Sequence, residues 1–305
     1  MRPFTFVVVT DSHLSGKAHP QDDLWWNRVL VSRAGEILGN AVKEINARGA
    51  DFVVHCGDLT NDALDASFRL AGEILRTLDP PFYFAPGNHD TEEAGGRAAA
   101  NDILAARGRP LYRVERAGGW KMILIDSAYW SLRDGSVADY RVPARFVNMA
   151  VPDVEMDWLR AELDADGATP TLCFMHPFPA VRDSYPAKRM AGPYSMEMVE
   201  GFRKGSLAAT AGVTALLKRY RCVKAVFSGH GHWHENLVEH GTLFCQTGAL
   251  AEYPCEMRIV RVSDDRLETE VMGIGGGFSE MSLVKETGNA WVAGRDLDRC
   301  ITHVF

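Results

Sequence analysis

Short apolar runs alternate with amphipathic stretches over most of this chain. Runs rich in β-branched and aromatic residues occur at Phe4–Thr10, Phe52–Cys56, Phe82–Ala85, Met122–Ile125, Thr171–Met175 and Lys224–Ser228. Their length and composition predict strands. Between the first two, Ile37, Leu38, Ala41, Val42 and Ile45 form a stripe at helical spacing that Gly49 closes. Phe68, Ala71, Ile74, Leu75 and Leu78 form another, stopped by Pro80-Pro81. Asp153 to Gly167 and about Leu207 to Tyr220 predict two more helices. Strands alternating with helices predict α/β layering, with sheet buried between helices. After residue 240 the pattern changes. Thr242–Thr247, Met257–Val262 and Leu267–Met272 follow one another with turn residues such as Ser263-Asp264-Asp265 between them, which predicts a second, more antiparallel sheet. Ala128–Pro152 and Pro177–Gly205 look irregular, and the segment after Gly273 carries no clear pattern.

The informative polar residues stand where these runs end. Asp11-Ser12-His13, Gly57-Asp58, Gly87-Asn88-His89-Asp90, His176 and Gly229-His230-Gly231-His232 follow in that order. Asp11, Asp58, Asn88, His176 and His230 each follow a predicted strand's carboxyl end with at most two residues between, at the edge where open α/β sheets collect ligands. Any one of them has an ordinary explanation: Asp11 alone reads as a helix cap, and His176 before Pro177 as a strand end. Together they aim carboxylate, amide and imidazole donors into one crevice. Such a donor set holds two metal ions, a device for attacking phosphate esters.

Composition narrows the surroundings. At 305 residues the chain can form one large domain or two small ones; 46% hydrophobic and 24% charged residues suit a soluble globule. A net charge of -7 disfavours a nucleic-acid polymer or an anionic membrane as partner. No apolar run approaches a membrane span, and Phe4–Thr10 is too short for a secretory core segment. The six cysteines lack CxxC spacing, and the cytoplasm is the expected location.

The ordered set D-x-H, G-D, G-N-H-D, H, G-H-x-H resembles the calcineurin-like metallophosphoesterases. It spans residues 11 to 232, and the Gly-Asn-His-Asp form with Asp157-Trp158-Leu159 before the His176 strand is most similar to the bacterial branch of cyclic-nucleotide and glycerophosphodiesterases. The resemblance implies a four-layer αββα sandwich, two mixed β-sheets flanked by helices, around a dinuclear centre. Carried over residue by residue, it implies that Asp11, His13 and His232 hold one metal and that Asn88, His176 and His230 hold the other. Asp58 bridges them. It also implies attack on phosphorus by a metal-bridging hydroxide, with His89 assisting departure of the alcohol. Mixed nitrogen and oxygen ligation suits manganese, iron, zinc or cobalt. The expected substrate is a small phosphodiester of cyclic-nucleotide or glycerophosphodiester type. A phosphomonoesterase or nucleotide pyrophosphatase on the same scaffold stays open, as does a non-catalytic binding scaffold. The protein phosphatase branch is disfavoured, because Gly57-Asp58 continues as Leu59-Thr60-Asn61-Asp62 without the arginine expected there.

The remaining expectations concern the surroundings of that set. Residues 1–272 form the metallophosphoesterase domain, and 273–305 an extension of open role. Within 177–205, a lid loop would bring Arg182, Tyr185 and Arg189 (with Lys188 and Tyr194) to the substrate; a solvated loop or a contact in a homo-oligomer is the alternative. Asp90 either orients His89 or caps the following helix. His55 reads as a core histidine, and His234, in a second overlapping G-H-x-H frame, as a neighbour of the site. Of Trp25 and Trp26, at least one is expected to be buried. Gln246–Leu250 is expected to close a pocket wall.

Overall fold

The computed structural model describes residues 2–104, 112–179 and 210–305. Two six-stranded sheets face each other. The first has the order Cys300–Val304, Arg266–Gly273, Glu256–Val262, Phe4–Val9, Phe52–His55, Phe82–Phe84; the second has the order Glu235–Glu239, Thr242–Gln246, Val223–Ser228, Thr171–Phe174, Trp120–Leu124, Arg113–Ala117. Both are mixed. Phe4–Val9 runs parallel to Phe52–His55 and antiparallel to Glu256–Val262. Thr171–Phe174 runs parallel to both of its neighbours.

Period-two alternation distributes side chains between layers. Along the first strand, Phe4, Phe6 and Val8 face the second sheet, while Val7 and Val9 face helices. Between the sheets Phe6 stacks on Phe52 at 4.9 Å and meets Phe174 and Phe227 edge-on at 5.7 and 5.4 Å. These rings are buried, each contributing about 1.5–3 kcal/mol through burial, and they fix one sheet against the other. On the outer face of the first sheet lie α1 (Ala34–Asn46), α2 (Asp65–Leu75) and α3 (Gly96–Ile103). On the outer face of the second lie α4 (Asp153–Ala165) and a helix described over 210–217. The layers are therefore helix, sheet, sheet, helix, as the resemblance implies.

The parallel strands place their carboxyl ends on one edge, where loops from both sheets are joined by backbone hydrogen bonds. Asp11 N–H donates to Gly57 O at 2.9 Å, Gly229 N–H to His176 O at 2.9 Å, and Leu250 N–H to Thr10 O at 3.0 Å.

Three expectations need correction. Thr242–Gln246 and the next two strands do not share a sheet: the former lies parallel to Val223–Ser228, and the latter two return to the first sheet beside Phe4–Val9. A local pattern encodes a strand but not its neighbour. Residues 128–152 are not merely irregular, since Tyr129–Leu132, Val137–Ala138 and Phe146–Ala150 form a small third sheet. After Gly273, Ile274 and Phe278 enter the core behind the first sheet, Trp291 and Val292 pack beside Trp26, and Cys300–Val304 adds the outer strand.

Candidate metal centre

Asp11, His13, Asp58, His230 and His232 all adopt positive φ, between 48° and 72°. Non-glycine residues rarely occupy this left-handed region, and they do so where surrounding structure over-determines the backbone. Glycines make the turns possible. Gly57 has φ 90°, and a Cβ there would lie 2.4 Å from His176 Nδ1; a Cβ on Gly229 would lie 1.8 Å from Thr10 Oγ1. The Gly-Asp and Gly-His pairs are thus packing requirements of loops that cross at van der Waals contact.

These turns collect the donors into two groups. Asp11, His13 and His232 form one, and Asp58, His176 and His230 the other, with the ligand atoms of each group within 4.8 Å of one another. Asp58 also groups with His13 and His89, so it stands between the two. Asn88 Oδ1 lies 3.1 Å from His176 Nε2, which is also 3.1 Å from Asp58 Oδ2. In the first group His13 Nε2 and His232 Nε2 face each other at 3.2 Å, and Asp11 Oδ1 is 3.3 Å from His232 Nε2.

In Asp11, Asp58, His13, His176 and His232 the second atom is tied down. Asp11 Oδ2 accepts from Thr10 Oγ at 2.6 Å and from the His230 N–H at 3.1 Å, while its buried Oδ1 has no hydrogen-bond partner. Asp58 Oδ1 accepts from the His89 N–H at 2.8 Å. A carbonyl oxygen can only accept, so His176 Nδ1 must donate to Cys56 O, 2.7 Å away. His13 Nδ1 donates likewise to Asn61 Oδ1 at 2.9 Å, and His232 Nδ1 to the Glu252 carboxylate. Protonation at Nδ1 leaves the Nε2 lone pair turned inward, the tautomer of metal-ligating histidines. An orphaned buried oxygen facing such lone pairs fits cations.

The charges agree. Burial would raise Asp11 and Asp58, but His232 beside Asp11, and His176 and His89 beside Asp58, hold both carboxyls well below the usual range. Burial also works to lower His176 and His232, yet Asp58 and Asp11 raise them to about 9 and about 10. His13 and His230 are pushed down to about 3, mostly by burial, with nearby imidazoles adding to it. The two carboxylates therefore draw positive charge into the crevice, a charge that metal cations would supply in place of protons.

His89 is half-buried beside the donors, its Nδ1 donating to Asn61 O at 3.1 Å. Burial works to lower it, but Asp58, Glu92 and the Asn61 carbonyl raise it above the ordinary histidine value. Asp90 does neither of the two things expected of it. Its buried carboxylate accepts from the N–H groups of Leu59, Thr60 and Gly87 at 2.8–3.2 Å and so ties the Gly-Asp loop to the Gly-Asn-His-Asp loop. His55 is a core residue bonded to Ser12 Oγ at 2.8 Å. His234 is buried away from the donor groups: Nδ1 accepts from Gly248 N–H at 3.1 Å, and Nε2 lies 3.2 Å from Glu256.

A cavity of about 350 Å³ opens on the donors and is lined further by Asp23, Leu24, Trp25, Val29 and Asn61. Trp25 lines it, whereas Trp26 is buried and donates its indole N–H to Gly231 O at 2.9 Å. Gln246–Leu250 does not close a wall; it packs behind the Asp11 strand end. Arg182, Tyr185 and Arg189, with the lid loop from residue 180 onward, lie outside the described residues. Asn61 and Glu252 escaped the sequence reading. Asn61 stands three residues after Asp58, a visible cue; Glu252 has no local signal.

A family profile described as calcineurin-like phosphoesterase matches residues 4–234. A probable glycerophosphodiester phosphodiesterase of Arcobacter nitrofigilis is 35% identical over 89 residues, 28% of this chain and 30% of that protein. A probable cyclic nucleotide phosphodiesterase of Synechococcus is 25% identical over 75% of this chain and 73% of its own length. The 3',5'-cyclic adenosine monophosphate phosphodiesterase of Escherichia coli K12 is 25% identical over 57% of this chain and 56% of its own. The chain thus spans less than two thirds of the first and third of these relatives. Among solved structures, a dimetal phosphatase from Danio rerio superposes with TM-score 0.68 at 15% identity, covering 99% of both chains, a likeness of fold.

Proposed function

The chain belongs to the calcineurin-like phosphoesterase family, and on that premise we propose that it is a dinuclear-metal phosphodiesterase acting on a small diester of cyclic-nucleotide or glycerophosphodiester type. One observation carries the reading: two donor groups converge on either side of Asp58, with the Nδ1 of His13, His176 and His232 each tied to an acceptor so that Nε2 points inward. Asp11, His13 and His232 would hold one cation, Asn88, His176 and His230 the other, and Asp58 both. Such a pair, when bound, neutralises phosphoryl oxygens and makes water a nucleophile near neutral pH.

The chain's own groups do the rest. Asp90 fixes the two loops that carry Asp58 and Asn88, so the donors keep their spacing without reorganisation. His89 faces the same cavity with Nδ1 bonded to Asn61 O; against the lowering effect of burial, Asp58 and Glu92 shift it above its ordinary value, and Nε2 is the ring position left to carry a transferable proton. It gives that proton to the departing alcohol oxygen. The cavity is at the small end of ligand sites, which suits a compact ester rather than a polymer. The diester preference draws on the named activities of the relatives. Free cysteines, five of the six buried, are compatible with the cytoplasm. Among the described residues no helix is long and apolar enough to cross a membrane.

The test is hydrolysis of bis(nitrophenyl) phosphate and nitrophenyl phosphate after chelation and restoration with manganese, iron, zinc or cobalt. We expect the diester to be cleaved faster. Faster cleavage of the monoester makes the protein a phosphomonoesterase; no cleavage of either with any metal removes the phosphoesterase reading.

A further inference from the structure

Glu252 is fully buried and reaches two parts of the site at once. One carboxylate oxygen accepts a hydrogen bond from His232 Nδ1–H. The other accepts the backbone N–H of Asn27. Asn27 lies in the tight hairpin whose strands are Asp23–Leu24 and Arg28–Val29, the hairpin that presents Leu24, Trp25 and Val29 to the cavity. The same hairpin is pinned again by Trp26 to Gly231, beside His232, and by Leu30 N–H to Ala251 O at 2.7 Å.

We propose that Glu252 is a positioning residue with two arms: it fixes His232 in its cation-binding tautomer and holds the Trp25 hairpin against the cavity. The inference rests on the metal-centre reading given above. Both arms require acceptors, because Nδ1–H and N–H both donate. A glutamine offers one oxygen and one NH2 group. If the oxygen serves Asn27, the NH2 group must face His232 Nδ1; the ring then accepts there and carries its proton on Nε2, where the lone pair is needed. If the oxygen serves His232, two donors face each other at Asn27 and the hairpin is displaced. Glu252→Gln cannot satisfy both.

Calorimetric titration of the chelated protein with manganese therefore has a defined outcome. Glu252→Gln should weaken binding at the Asp11–His13–His232 group by about 10- to 100-fold, as loss of a ligand-orienting partner does. Should the amide settle the other way, affinity is kept and KM for the nitrophenyl diester rises about 10-fold at saturating manganese, with kcat nearly unchanged. Because Glu252 acts on the cation through His232, its effect on affinity should vanish in a His232→Ala background. Wild-type affinity together with wild-type KM, or an affinity loss that persists unchanged without His232, overturns the proposal. If the variant does not fold, the ring-nitrogen spectrum of the zinc-loaded wild type decides: a proton on His232 Nδ1 with Nε2 metal-bound supports the clasp, and a proton on Nε2 overturns it. The titration reads cation binding alone, so a wild type that binds manganese but cleaves no ester would sink the phosphoesterase reading and leave this one standing.

Discussion

Asn61→Ala removes one acceptor from beneath the metal centre while leaving every proposed ligand in place. Asn61 Oδ1 accepts the hydrogen bond of His13 Nδ1–H at 2.9 Å, and His13 is only 3% exposed. A buried donor left unsatisfied costs about 1–3 kcal/mol. That is about 5- to 150-fold in an equilibrium constant, the range reported for partners that orient metal-ligating histidines. His89 should be spared, because it bonds the Asn61 backbone carbonyl, and the contact of Asn61 Nδ2 with Asp23 at 3.4 Å is weak. The expected result is selective: cation affinity falls about 10- to 100-fold at the Asp11–His13–His232 group and stays near wild type at the other. Asn61→Asp keeps an acceptor and should restore most of the loss. Manganese titration by calorimetry, or competition with a chelating dye, reads both sites in one experiment. An unchanged isotherm refutes the reasoning, and so does a loss spread equally over both sites.

His89→Ala should lower kcat about 10²- to 10⁴-fold with cation content unchanged, the usual contribution of a general acid; full turnover in the metal-loaded variant removes the role. A pH effect follows from Glu155 in α4, which burial and the Asp126 charge push up to about 10. Between its ordinary value of 4.5 and about 10 the folded chain keeps a proton that the unfolded chain releases. Unfolding free energy therefore falls as pH rises through that window, by at most about 1.4 kcal/mol per pH unit from this group. Glu155→Gln keeps an acceptor for the Asp126 N–H and should flatten the slope, which urea unfolding at several pH values measures. Parallel slopes for variant and wild type contradict it.

The candidate site was legible in the sequence because parallel strands convert an order of motifs into a common edge. Asp11, Asp58, Asn88, His176 and His230 each follow a short apolar run, and the structure brings these runs' ends together. The layers were equally legible, since alternation in Phe4–Val9 and the stripe in α1 are local properties of the chain. What could not be read was set by distance along the sequence. Glu252 meets the Asn27 backbone 225 residues away, and no pattern near either residue records the contact. Met257–Val262 reads as a strand, but no local pattern records that it pairs antiparallel with Phe4–Val9, more than 240 residues earlier. Asp90 was ambiguous for a related reason: its partners are backbone N–H groups, which every residue has and no sequence advertises.

Two donor groups that share Asp58 should hold two cations per chain. Metal content after saturation with manganese or zinc and removal of excess, read by elemental analysis on wild type and Asp58→Ala, tests it most directly. About two equivalents are expected for the wild type, and a marked loss at both positions in the variant. A single equivalent in the wild type, or two retained without Asp58, would contradict it.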